Sequence, residues 1–274
     1  RRPRGIRDRL RHQGGNGGDP LPWHDYLNEP ARKMQATWTS EVSSQSKDGL
    51  LNSLSDEAAA DVRSNGGPGA GAWLLPPAEG VLVMPVDHFL IVLRDRVLLP
   101  VCPEGACCTH RRPNGQLCNA PLDGRGKHAR MCALGNGLTD RHNRLRDWVC
   151  STYSACTGLP AVTEQRVPEW DLVDEATGDV QEAILDVATS HALTGARLFF
   201  DVTVRCAYST DPSRLGARAR RNGRAAADGA CAKRRRYATA GGSLIPLAFE
   251  AGGRPADETI AFLRQCGSAW AASN

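Results

Sequence analysis

No uninterrupted apolar run approaches the ~20 residues that a membrane helix needs, and the basic start RRPRGIRDRLRHQ is followed by no apolar stretch. Neither a membrane span nor a signal peptide is expected, and a soluble, intracellular protein is. Internal repeats are absent too, and so is any polymerase motif with paired catalytic aspartates. Beginning with Arg1 rather than Met, the chain is expected to be a piece of a longer product. What is present is ordinary globular material, 41% hydrophobic and 23% charged over 274 residues, enough for one or two domains. The 28 glycines and 17 prolines make about one residue in six, so loops are plentiful.

Net charge is only +4, but it is unevenly spread. Residues 161–187 hold eight acids against Arg166 alone, whereas 207–237 hold nine bases against Asp211 and Asp228, or +7. Such a basic stretch suits a phosphate backbone; its blander reading is a solvated helix face.

Along the chain, residues 1–30 are basic and Gly-rich without apolar periodicity and are expected to be a disordered tail. Residues 31–100 read as a helical connecting region. In it, Ser55 or Asp56 can cap a short helix ending before Gly66-Gly67-Pro68, a Pro-Pro turn follows, and a helix over 87–98 places Phe89, Val92, Leu93, Arg96 and Val97 at helical spacing. From 139 to 266 the pattern is a helix over 140–155, β-rich runs at 161–167, 183–189 and 198–204, one long helix over 212–237, a β-rich run at 244–250 and a last helix over 257–266. That order, α-β-β-β-α-β, predicts an α/β domain with a mixed sheet. Gly216, Gly223 and Gly229 should weaken the long helix.

Ten cysteines in an intracellular chain are more readily reduced thiols or metal ligands than disulfides. Five of them, Cys102, Cys107, Cys108, Cys118 and Cys132, fall within 31 residues. The best tetrad is Cys108, Cys118, His128 and Cys132, spaced C-x9-C-x9-H-x3-C, with turns at Asn114-Gly115 and Asp123-Gly124 that let the chain return to a tetrahedral zinc ion. Either Cys102 or Cys107 is an alternative to Cys108. Residues 101–135 carry too little apolar matter for a core of their own, a deficit that zinc would repair. His110 and His142 read as structural or surface residues.

Two further acids, Asp186 and Asp201, interrupt β-rich runs joined by a short turn at 191–195. A lone acid in such a run is costly to bury unless paired or bound to a cation, and two neighbours across a hairpin offer the hard oxygens that Mg²⁺ prefers. Lys233 and Tyr237, spaced i, i+4, share a face of the basic helix. With Arg214, Arg218, Arg221, Arg234, Arg235 and Arg236 as a nucleic-acid-binding surface, these are the parts for hydrolysing a phosphodiester.

The run Cys108…Cys118…His128-Ala-Arg-Met-Cys132, then Arg141-His142-Asn143, Leu185-Asp186-Val187, Asp201-Val202-Thr203-Val204 and Lys233-Arg234-Arg235-Arg236-Tyr237 resembles the C-terminal restriction-like endonuclease region of non-LTR retrotransposon polyproteins. There a CCHC knuckle precedes an Arg-His-Asn helix and a PD-(D/E)xK core whose lysine has moved to a helix. Residues 66–75 and 81–102 resemble the connecting segment after the reverse-transcriptase domain. The resemblance implies a restriction-endonuclease-like fold, Asp186 and Asp201 as ligands of catalytic Mg²⁺ or Mn²⁺, Lys233 as displaced catalytic lysine and Tyr237 as its helix partner. It further implies DNA, and element RNA, as partners, a reverse-transcriptase domain in the parent polyprotein and a nuclear setting. Leu185 stands where the motif has proline, Ile184 where it has a polar or basic residue, and Thr203 occupies the old lysine position. The expected activity is nicking of target DNA for reverse transcription. The alternatives are a catalytically inactive, zinc-containing nucleic-acid-binding remnant and a host protein that shares only the fold.

Overall fold

The structure, a computed structural model, describes residues 31–75, 83–112 and 114–273. The expected tail over 1–30 and the Pro-Pro turn lie outside the described residues. The chain divides into two compact units, Arg1–Ser53 and Leu54–Asn274. The first is described as a single helix, α1 (Ala31–Ser53), whose described side chains are exposed except Glu41 and Leu51.

The second unit begins with α2 (Asp56–Ser64). Ser55 caps it, accepting from the Ala58 amide at 3.3 Å, and Asp56 and Glu57 in the first turn with Arg63 in the last suit the helix dipole. Helix α3 (Val86–Arg96) follows and ends short of Pro100, with Leu98 at φ 63°. A small hairpin and a one-turn helix, α4 (Lys127–Met131), make up the cysteine-rich segment. Then come α5 (Gly137–Thr157), closed by Gly158 in the left-handed region, and β1 (Val162–Arg166). A two-stranded hairpin, β2 (Leu172–Val173) and β3 (Val180–Gln181), precedes β4 (Ile184–Ser190) and β5 (Arg197–Arg205). Helices α6 (Pro212–Arg220) and α7 (Arg224–Arg236) lead to β6 (Leu244–Glu250) and α8 (Asp257–Ser273).

The main sheet has the order β1-β4-β5-β6, antiparallel except for the β5–β6 pair, which is parallel. The chain is therefore an α/β protein with a mixed four-stranded sheet. Parallel pairing demands a crossover, and α6 and α7 supply it. On one face Phe200, Val202, Val187 and Leu247 pack against Val149 and Tyr153 of α5 and Phe262 and Cys266 of α8. On the other, Phe199, Leu185 and Leu244 pack against Trp170 and Tyr237, while Ala226 and Ala230 of α7 lie close on Ala248.

Two corrections concern helices. The single helix expected over 212–237 is two, separated at residues 221–223, because Gly223 takes φ 69° and turns the chain. Helix α6 thereby packs against α2, where Arg63 Nε donates to the Ala219 carbonyl at 2.6 Å, and α7 lies on the sheet. Further on, Glu250 at the end of β6 is buried and accepts from the Ala225 and Ala226 amides at 2.9 and 3.4 Å, giving α7 an N-terminal cap from a distant strand. The last helix runs seven residues past the expected Cys266, to Ser273.

Candidate functional site

The cysteine-rich segment is built on backbone pairing between 106–112 and 116–122, with the Cys108 amide donating to Ala120 and the Cys118 amide to His110 at 2.8 and 2.7 Å. This puts Cys108 and Cys118 on facing strands. Asp123 then starts α4, accepting from the amides of Arg125 and Lys127 at 3.0 and 2.9 Å, and so aims His128 and Cys132 at the two sulfurs. The donor atoms of Cys108, Cys118, His128 and Cys132 all lie within 4.8 Å of one another. Cys108 and Cys132 Sγ are 3.7 Å apart, Cys118 and Cys132 Sγ 3.8 Å, and Cys118 Sγ and His128 Nε2 3.3 Å. A tetrahedron with Zn–S bonds of ~2.3 Å has sulfur–sulfur edges of ~3.8 Å, so the residues fit a structural zinc. Cys102 and Cys107 stand outside the cluster, which resolves the alternative in favour of Cys108. His110 packs on Gly135 and is not a ligand.

Arg125, Arg130 and Lys127 fasten this knuckle to the rest of the unit. Arg125 bridges Asp61 of α2 and Asp95 of α3 at 3.2 and 3.4 Å, Arg130 reaches Asp95 at 3.2 Å, and Lys127 pairs with Glu57 and sits 4.7 Å over the Tyr208 ring. Burial pushes the Asp61 carboxyl up against the pull of Arg130 and Arg125. A buried acid with two guanidiniums is costly to break by removing one partner.

The second cluster is assembled across the sheet. The β4–β5 pairing runs from Ser190–Arg197 to Val187–Phe200, and the next residues along are Asp186 and Asp201. The β4–β5 ladder ends there, and the Val202 amide donates at 2.7 Å to Asp186 Oδ2. The two-residue alternation of β4 also breaks, since Val187 belongs to one core cluster and Leu185 to the other. On the neighbouring strand Glu164, between the paired Thr163 and Gln165, takes φ 56°, a conformation costly for a non-glycine residue. This distortion turns Asp186 toward Asp201, which faces α7.

Asp201 is 1% exposed and accepts at 2.7 Å from Lys233 Nζ. The charge state of each carboxylate acts on the other. Burial, followed by Asp186 and against the pull of Lys233, pushes Asp201 up to about 7. Burial would raise Asp186 as well, but His142, Asp201 and the Val202 amide hold it below the ordinary carboxylate value. Asp201 Oδ2 is buried with no hydrogen-bond partner. A proton or a hard cation satisfies such an oxygen, and two adjacent carboxylates are the donor set that Mg²⁺ takes.

Lys233 reaches Asp201 because α7 approaches β5 closely at Gly229, one turn before it. A Cβ at Gly229 would stand 2.9 Å from Arg205 Cγ and 3.0 Å from Thr203 Cγ2. The glycine read as a helix weakener is a point of close packing, and Thr203 lies beneath it. Tyr237 caps α7, its amide donating to Lys233 at 3.0 Å, and its ring is buried 6.1 Å from Trp170. Burial, then Asp201, pushes its hydroxyl up to about 12.

His142, read as structural or surface from the sequence, belongs to this cluster: its Nε2 lies 2.9 Å from Asp186 Oδ1. Arg146, one turn on, pairs with Asp147 at 2.8 Å and with Glu164. The spacing of His142 and Arg146 on one helix face was the available signal, but nothing local says that the face meets Asp186.

The six arginines of the basic stretch divide. Arg218 is spent on the Cys206 and Tyr208 carbonyls at 3.2 and 3.0 Å, and Arg236 on those of Gln181 and Glu182 at 2.8 and 3.1 Å. Arg214 pairs with Asp211 at 3.3 Å and Arg234 with Glu258 at 2.5 Å. Arg221 and Arg235 are exposed and make no ion pair among the described residues.

No family model, curated protein or solved structure matches this chain. Among the described residues no helix is long and apolar enough to cross a membrane.

Proposed function

We propose that the chain is a metal-dependent DNA endonuclease with a restriction-endonuclease-like core, of the kind found in non-LTR retrotransposon polyproteins. One observation carries the reading: Asp186 and Asp201 from adjacent strands and Lys233 from the crossover helix meet at a distorted point of the sheet, with Asp201 Oδ2 unpartnered. The element order α5-β1-β4-β5-α6/α7-β6 supports it as well.

Asp186 and Asp201 would hold Mg²⁺ or Mn²⁺, which when bound supplies charge neutralisation at the scissile phosphate. Lys233, anchored on Asp201, directs its remaining N–H groups to the phosphate or to the attacking water. His142, oriented by Asp186, stands where it can exchange a proton with water or the leaving oxygen. Tyr237 positions the end of α7, and Arg221 and Arg235 are the freest contacts for a phosphate backbone. The knuckle zinc is structural. DNA is then the substrate partner, element RNA and a reverse-transcriptase domain of the parent polyprotein its companions, and the nucleus its place of work.

The test is nicking of supercoiled and branched DNA with Mg²⁺ or Mn²⁺. Wild-type protein should nick, and Asp186→Ala, Asp201→Asn and Lys233→Met should each abolish nicking with duplex binding retained. Full activity in Asp201→Asn would sink the proposal. A second reading, a catalytically silent zinc-containing nucleic-acid-binding module, is favoured by the engagement of both Asp186 oxygens, one by His142 and one by Val202. Folded wild-type protein that binds DNA and nicks none of these substrates establishes it.

A further inference from the structure

On another face of α5 lies an open groove of about 600 Å³, a volume in the range of small-ligand sites, that contributes nothing to the carboxylate cluster. Asp140, Arg141, Arg144, Leu145 and Trp148 of α5 line it, with Phe249 of β6 across from them. Its electrostatics are unbalanced. Arg141 is half-buried, burial pulls its guanidinium below the ordinary value, its Nε is buried with no partner, and it makes no ion pair among the described residues. Arg144 is exposed and likewise makes none. Of the two acids at the groove, Glu250 is committed to the Ala225 and Ala226 amides, which leaves Asp140 against two arginines. A guanidinium buried without a counter-charge is expensive, and an anion from outside is the partner this geometry lacks. Trp148, 43% exposed beside Leu145 and Phe249, offers a flat apolar surface next to that cation.

We infer that this groove binds one nucleotide of single-stranded DNA, its base on Trp148 and its phosphate on Arg141 and Arg144. Base–aromatic stacking beside an arginine is how single strands are held without sequence reading. The groove also stands in a defined relation to the carboxylates. Arg141 and His142 are consecutive, and an α-helix turns ~100° per residue, so a strand crossing the first turns of α5 would meet both. The choice of DNA rests on the endonuclease reading; the groove would hold a nucleotide beside the cut.

The experiment measures binding of a fluorescein-labelled single-stranded DNA of ~12 nucleotides, within the length such grooves cover, in buffer without added Mg²⁺ or Mn²⁺ and without chelator, so that no cleavage enters and the knuckle keeps its zinc. Binding should quench tryptophan fluorescence, and Trp148→Phe should remove most of the quench. Trp148→Ala should weaken affinity ~10-fold. Arg141→Ala should weaken it by at least as much, Arg141→Lys should restore part, because the charge returns without the planar fork, and Asp140→Asn should tighten it by about 2-fold. Folded Trp148→Ala and Arg144→Ala proteins that bind as wild type overturn the inference. Should Arg141→Ala fail to fold, Trp148→Ala and Asp140→Asn still decide. Wild-type protein that shows these affinities but nicks no DNA refutes the catalytic proposal alone.

Discussion

The cysteine knuckle and the carboxylate cluster are opposite solutions to gathering polar groups. The four knuckle donors lie within 108–132, on a hairpin and one helical turn, and backbone bonds within that segment aim them. The carboxylate cluster draws His142, Asp186, Asp201 and Lys233 from two helices and two strands, and only the packed sheet brings them together. The first site's donors are spaced to close around a metal ion; the second exists because a core surrounds it. Local assembly lends itself to reading from spacing. Non-local assembly depends on every contact in between.

The comparison breaks most sharply on zinc. Purified, reduced protein should carry one zinc per chain, and Cys118→Ser or His128→Ala should forfeit most of the ~10 kcal/mol or more that such a site supplies. Hydrogen exchange should then show protection lost over 101–135 and kept over β4, β5 and β6. Equal loss in both would mean that the knuckle is part of the core and not a satellite fastened by Arg125 and Arg130.

Next in size is removal of the Asp201–Lys233 contact. Lys233→Met leaves a buried carboxyl without its cation and should destabilise the protein by about 1–3 kcal/mol in denaturant melts. Asp201→Asn in that background should return most of the loss. A double variant as unstable as Lys233→Met would show that the lysine serves packing rather than charge.

The same aspartate sets a pH dependence. With a folded value of about 7 against an unfolded value near 4, the protonated Asp201 contributes stability that is complete below pH 4 and is lost as pH rises toward 7. Asp186, shifted the other way, acts only below pH 4, where its stabilisation is lost as it becomes protonated. Between pH 4.5 and 7 the melting temperature of wild type should therefore fall relative to Asp201→Asn, by the equivalent of up to about 3 kcal/mol. Parallel curves would place Asp201 in a more polar environment than its burial indicates.

The smallest effects separate two helical glycines. Gly229→Val would press on Thr203 and Arg205 and should cost about 1–3 kcal/mol together with nicking activity. The nearest neighbour of a Cβ at Gly216 is the movable end of Arg220, at 2.8 Å, so Gly216→Ala should be neutral or up to ~1 kcal/mol stabilising. Thermal melts of the two variants test this difference directly.

Much of the architecture was legible from local pattern. Ser55 before Asp56-Glu57 announces the start of α2, β-rich runs mark β1, β4, β5 and β6, and C-x9-C-x9-H-x3-C selects the four clustered donors. The β2–β3 hairpin escaped notice because two-residue strands carry no period. The division of the basic stretch escaped as well. Whether Arg218 and Arg236 face solvent or backbone carbonyls depends on where the 206–208 loop and the β3–β4 connection pass, not on their neighbours in sequence.

By itself, then, the sequence determined which groups could act together within one turn or one hairpin, because spacing along a helix or strand converts directly into distance. Only the tertiary structure decided that His142 meets Asp186, that Gly229 seats Lys233 on Asp201, and that Arg141 is left without a counter-charge. Those outcomes hang on the β4–β5 register, the distortion at Glu164 and the turn at Gly223, long-range packing choices whose energies come from many contacts at once and leave no mark at any single residue.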